Sequence, residues 1–206
     1  MKYRVEHSGE CKTYAVLHHT AWHLLDHAKS YEEGRLLQLQ ACAVFCAFTF
    51  EAYLNHVGKA EIEYWDEIER IPYRSKLNVI AGHLHFQVDP SQRPFQTVIE
   101  LFRLRDTLAH GRTAPINDVF ETTNLPPHDS FTRVMSWEKL SLEQSERCFA
   151  DVEAAIENIN GARRTADLLL WNQGGRSRVV GAAAPNSEQG APQNAGSAGA
   201  PPASVS

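Results

Sequence analysis

A chain of 206 residues has room for one domain with a full hydrophobic core. Its formal net charge of −5 at pH 7 argues against a broad basic face for nucleic acid, so any such contact has to be local, in a pocket with its own positive charge. There is no run of about 18 apolar residues, no apolar signal region after Met1, and no CxxC pair among the four cysteines (Cys11, Cys42, Cys46, Cys148), so no membrane span and no secretion are expected and a reduced cytoplasm is.

Residues 13–29 place Tyr14, Leu17, Ala21, Leu24, Leu25 and Ala28 at helical spacing, which predicts a first amphipathic helix. His19, His23 and His27 recur along it at every fourth position. At a rise of about 1.5 Å per residue the outer two are roughly 12 Å apart and cannot share one ion. Two of them could hold zinc only with ligands from elsewhere, so a solvated or partly packed face without metal is expected.

A second helix is expected from Glu33 to Val57, stopped by Gly58 as its C′ residue. It is apolar on more than one face, which predicts the central helix. Cys42 and Cys46, one turn apart, read as small buried hydrophobes. Glu51 and Asn55 interrupt the side that carries Val44 and Phe48. A carboxylate there either reaches solvent or a backbone amide, or pairs with one of the arginines at 103–112 and holds it in place.

Short helices follow at 61–69, around Ile62 and Trp65, and at 73–84, around Leu77, Ile80, Ala81 and Leu84; Asp89 to Pro94 is a turn cluster. His83 and His85 have no neighbouring acid or thiol and receive no role. Helical spacing resumes from Phe95 to Ala109, with Val98, Leu101, Leu104 and Leu108 as the buried stripe and Gly111 as the stop. Residues 111–138 are irregular, with a short strand or hairpin arm at Phe131 to Trp137. Ser141 with Gln144 forms a capping box that opens the last helix, whose stripe is Phe149, Val152, Ile156, Ile159, Ala166 and Leu170, closed by Trp171. From Asn172 onwards Ala, Gly, Ser and Pro dominate, as in a disordered tail. The expected organisation is an all-α bundle of four main helices plus short ones over residues 1–171, and a disordered tail over 172–206.

The chemistry gathers at the end of the third main helix, in Arg103, Arg105, Asp106, His110 and Arg112. Arginine presents a fixed fork of donors that matches phosphate oxygens, and histidine is the side chain able to act as acid or base near neutral pH. Arg103, Asp106 and His110 share one helix face, whereas Arg105 stands about 140° from His110 and would have to bend its long stem to reach it. A Gly-rich phosphate loop followed by Lys, GxSxG, HExxH and a CxxC zinc framework are all missing.

The segment LFRLRDTLAHGRT, preceded by the apolar FCAFTFEAYLNHVG helix, resembles the HEPN superfamily over about residues 10–170. The hallmark of that superfamily is Arg-x4–6-His, often with Asn, Asp or His directly after the Arg. Arg105, Asp106 and His110 match its four-residue-spacer form, while Arg103 satisfies the six-residue spacer without the polar follower. The resemblance implies an HEPN-like helical bundle and a metal-independent endoribonuclease of toxin or phage-defence type, without cofactors, acting on RNA as a homodimer with the two motif helices facing each other across a shared cleft. It makes Arg105, Asp106 and His110 the catalytic candidates, Arg103 and Arg112 the RNA-binding candidates and Glu51 their support. A separately encoded antitoxin or partner protein is a further implication. The alternative is a non-catalytic RNA- or nucleotide-binding or dimerisation module, because Arg, Asp and His at a helix C-terminus also make plain ion pairs and bond its last carbonyls.

Overall fold

Apolar residues recurring every third or fourth position give the chain six α-helices among its described residues: α1 (Thr13–Ser30), α2 (Arg35–Glu61), α3 (Trp65–Ile68), α4 (Tyr73–Leu84), α5 (Phe95–Ala109) and α6 (Leu142–Ala162). The computed structural model describes residues 2–111, 140–165 and 175–183. The expected strand or hairpin arm at Phe131 to Trp137, the stripe positions Ala166 and Leu170, and Trp171 lie outside these residues. Helices dominate, as the all-α expectation has it.

One compact unit, Glu10–Gly174, holds all six helices. α2 is its centre, packed on α1, α3, α4, α5 and α6, and its Phe50, Leu54 and Val57 are fully buried. By length and mean hydropathy, α2 is also long and apolar enough to cross a membrane, with half of its most apolar window buried in this unit. A core helix that others surround has the same composition, so this says nothing about location. Cys42 and Cys46 are buried here. The Cys42 thiol hydrogen-bonded to Cys46 raises the pKa of Cys46, and burial adds to that effect. Burial likewise pushes the thiol of Cys148, on α6, up to about 11.

Gly58 does not stop α2. The helix runs through it to Glu61, and Gly58 is buried against the ring of Trp65. A Cβ at residue 58 would come within 2.2 Å of two Trp65 ring atoms, so glycine is needed there for a close approach and not for a turn. Trp65 then fills the core beside α2 at 1% exposure.

The capping box at α6 is present in both directions: Gln144 N donates to Ser141 Oγ and Ser141 N donates to Gln144 Oε1. Such a cap contributes about 1 kcal/mol to the helix start. Phe149, Val152, Ile156 and Ile159 bury the α6 stripe as expected. α5 is tied to α6 by a second device. Asp151 is buried, and it accepts two hydrogen bonds from the Arg93 guanidinium (2.7 and 2.6 Å) and one from Thr97 Oγ1 (2.5 Å). Those bonds anchor the start of α5 and so set the direction in which its other end projects.

His19, His23 and His27 are exposed, the solvated face expected of them, while His18 on the same helix is not part of it. His18 is buried, 2.9 Å from Glu153 Oε1 and with its ring against Phe149, whereas His19 and His23 are exposed and stack on each other at 4.7 Å. Among the described residues no three His, Cys, Asp or Glu groups converge as a metal site.

The other unit comprises Met1–Gly9 and Gly175–Ser206. In it β1 (Lys2–Gly9) pairs antiparallel with β2 (Gly175–Ala183), from Lys2 opposite Ala183 to Gly9 opposite Gly175, with an irregularity between Arg4 and Val5. Gly175–Ala183 thus departs from the disorder expected of the whole stretch 172–206. Composition averaged over a long tail hides a nine-residue strand containing Val179 and Val180, whose partner lies at the opposite end of the chain.

Candidate functional site

α5 buries Val98, Leu101 and Phe102, and the helical period then turns Arg103, Asp106 and Thr107 outward. Arg105 falls between the two faces and is half-buried. Its Nη2 lies 3.3 Å from Glu51 Oε2 on α2, and its Nη1 lies 3.3 Å from Asp106 Oδ1. The guanidinium carbon sits 5.0 Å from the centroid of the Phe102 ring and 6.0 Å from that of Phe48, within reach of a cation–π attraction on both sides. Phe102 in turn stacks on Tyr73 of α4. The arginine is therefore held by a carboxylate and two rings, directed towards α2 and not bent round towards His110.

Of the two expectations for Glu51, pairing with an arginine is the arrangement found. Its second oxygen, Oε1, accepts from Lys76 Nζ at 3.3 Å, and Lys76 is only 3% exposed. The charges run in an alternating row: Lys76, Glu51, Arg105, Asp106. Arg105 Nε is buried and has no hydrogen-bond partner among the described residues. Asp106, with its side chain 53% exposed, is the outer and more loosely held member of the row.

His110 is the residue that caps α5, its backbone N–H donating to Asp106 O at 2.9 Å. Its imidazole is exposed, and nothing among the described residues bonds to it. Arg103 is exposed as well; its carbonyl accepts from Thr107 Oγ1. Arg112 lies outside the described residues. Of the residues expected to act together, Glu51, Arg105 and Asp106 are in contact, Arg103 and His110 share the exposed face with Asp106, and Arg105 and His110 of one chain do not meet.

No family model, curated protein or solved structure matches the chain.

Lys76 and Phe102 were not singled out from the sequence, whereas Phe48 was placed on the side of α2 that Glu51 interrupts. A signal for Lys76 was there: it lies three residues after Tyr73 and four before Ile80, so the 3.6-residue period puts it on the apolar stripe of α4. A lysine on such a stripe needs an anion beside it, and the half-buried Glu51 is that anion. Phe48 and Leu108 are 39% and 37% exposed and leave apolar surface on the two helices that carry Glu51 and Arg105; Leu108, expected on the buried stripe of α5, lies in the last turn of the helix, beyond the part that packs into the core.

Proposed function

We propose that the chain is a metal-independent endoribonuclease that assembles its site from two copies. The observation that carries this reading is the separation of groups along α5. The guanidinium of Arg105 is held in place by Glu51, while the imidazole of His110 stands exposed on another side of the helix, with Asp106 between them. One copy offers one imidazole, and its own Arg105 is turned away from it. Cleavage of RNA by its own 2′-OH needs a base for that hydroxyl, an acid for the departing 5′-oxygen and cations for the crowded phosphorane. Two copies supply all of these. One imidazole takes the 2′-OH proton as that oxygen bonds to phosphorus. The other, protonated, donates to the 5′-oxygen as the P–O5′ bond breaks, leaving a 2′,3′-cyclic phosphate. The Arg105 pair stabilises the added negative charge, Asp106 gives way to the phosphate or orients a neighbour, and Arg103 contacts the RNA backbone.

His110→Ala tests the proposal. The expected result is loss of cleavage of single-stranded RNA with the helical circular dichroism retained, and wild-type cleavage that persists in EDTA. Undiminished cleavage by the variant removes His110 from the mechanism. A second reading, a non-catalytic RNA- or nucleotide-binding or dimerisation module, draws on a specific observation: both Nη atoms of Arg105 already meet carboxylates. On that reading the wild type binds RNA or pairs with itself but yields no cyclic-phosphate product.

A further inference from the structure

The hydrogen bonding of the Glu51 carboxylate is lopsided. A guanidinium facing a carboxylate ordinarily makes two parallel bonds, one to each oxygen. Glu51 gives Arg105 only Oε2, through Nη2, while Arg105 Nε is buried beside that bond without a partner among the described residues. The other oxygen is occupied by Lys76 Nζ, on a side chain too buried for any ligand to touch. The cation that is out of reach thus holds Oε1 on its own side, and Arg105 Nε makes no bond to that oxygen.

We infer that Lys76 is a positioning residue, which draws Glu51 away from closing on Arg105 with both oxygens and so leaves the guanidinium with charge that Glu51 does not neutralise, for a phosphate of RNA to meet at Nη1 in place of Asp106. This rests on the reading of Arg105 as a phosphate-binding group. One carboxylate shared between two cations leaves a net positive charge, and the only other anion on Arg105 among the described residues is Asp106, an exposed carboxylate whose hold is weak and easily exchanged. A phosphate that displaces Asp106 meets an arginine already oriented by Glu51, Phe48 and Phe102. Without the lysine charge, Glu51 would rotate onto Nε and Nη2, and the arginine would become one half of a neutral closed pair.

The test uses the full chain and a fluorescent single-stranded RNA with a non-cleavable 2′-O-methyl backbone. Lys76→Met keeps most of the buried stem and removes the charge, and it is expected to weaken RNA binding about fivefold or more, as couplings between contacting charges do. Glu51→Gln combined with Lys76→Met removes the closing anion too, and binding is expected to return towards the wild-type value. In the wild type, Arg105→Ala must itself weaken binding. If it does not, the phosphate-binding reading falls and this inference with it. If Arg105→Ala weakens binding while Lys76→Met binds as the wild type does, the inference alone is overturned. The nitrogen-15 spectrum of arginine side chains gives a readout that needs no RNA: the Arg105 Nε–H signal should move downfield and exchange more slowly in Lys76→Met. An unchanged signal overturns the closure. Should the methionine variant not fold, Lys76→Gln takes its place, with a neutral donor in a similar volume and a smaller change in the same direction.

Discussion

Two carboxylates in the helical unit, Asp151 and Glu51, are each bonded to an arginine of the α5 region, and they do so in opposite ways. Asp151 is closed: Arg93 gives it two short bonds, Thr97 a third, and none of those donors is left over. Its bond to Arg93 raises the pKa of that guanidinium further. Glu51 is open: two cations share it at 3.3 Å each, and a donor of Arg105 remains unused. The first arrangement joins α5 to α6 and has nothing to exchange. The second keeps an arginine oriented without neutralising it, and a group that has to take up and release an anion needs that condition.

The largest expected break in this comparison comes from truncating each arginine. Arg105→Ala should reduce RNA cleavage by about a hundredfold or more, as loss of a charge-stabilising donor does, with the fold intact. Arg93→Ala should leave the cleavage rate of the folded protein unchanged and lower stability only. Equal effects on cleavage would erase the distinction between the two clusters. Next in size is Asp151→Ala, which leaves the Thr97 hydroxyl buried without its acceptor and the Arg93 fork without its partner. A loss of about 2–3 kcal/mol is expected, read as a lower denaturant midpoint at constant slope. The smallest effect on stability belongs to Asp106→Asn, at under about 0.5 kcal/mol because the pair it removes is exposed. On the proposed reading, binding of RNA, followed by fluorescence anisotropy, should nevertheless rise, since the carboxylate paired with Arg105 Nη1 is then neutral.

Much of this was legible from local pattern. The extents of α1, α4 and α5 follow from apolar spacing, and the Ser141–Gln144 box marks the start of α6 because both halves of a cap lie within one turn. The candidate residues at the end of α5 stood out as types suited to phosphate and proton transfer. What was not legible involved partners far away in the chain. Gly58 has the look of a helix stop, and only Trp65 packed against it shows why a side chain is excluded. His18 sits among exposed histidines, and Glu153 with Phe149 on α6 separates it from them. The strand at Gly175–Ala183 has its partner at Lys2–Gly9, beyond the reach of any window of composition.

By itself, the order of residues determined the extents of α1, α4 and α5, the start of α6, most of the stripes they bury and the presence of arginine, aspartate and histidine at the end of α5, since periodicity and capping act within a turn or two. It did not give the run of α2 through Gly58 or the four-residue α3 in place of a helix at 61–69. Tertiary packing decided which charges meet: Glu51 reaches Lys76 across 25 residues and Arg105 across 54. The physical reason is that a half-buried carboxylate is stable only with cations beside it, and which cations those are depends on how α4 and α5 dock on α2.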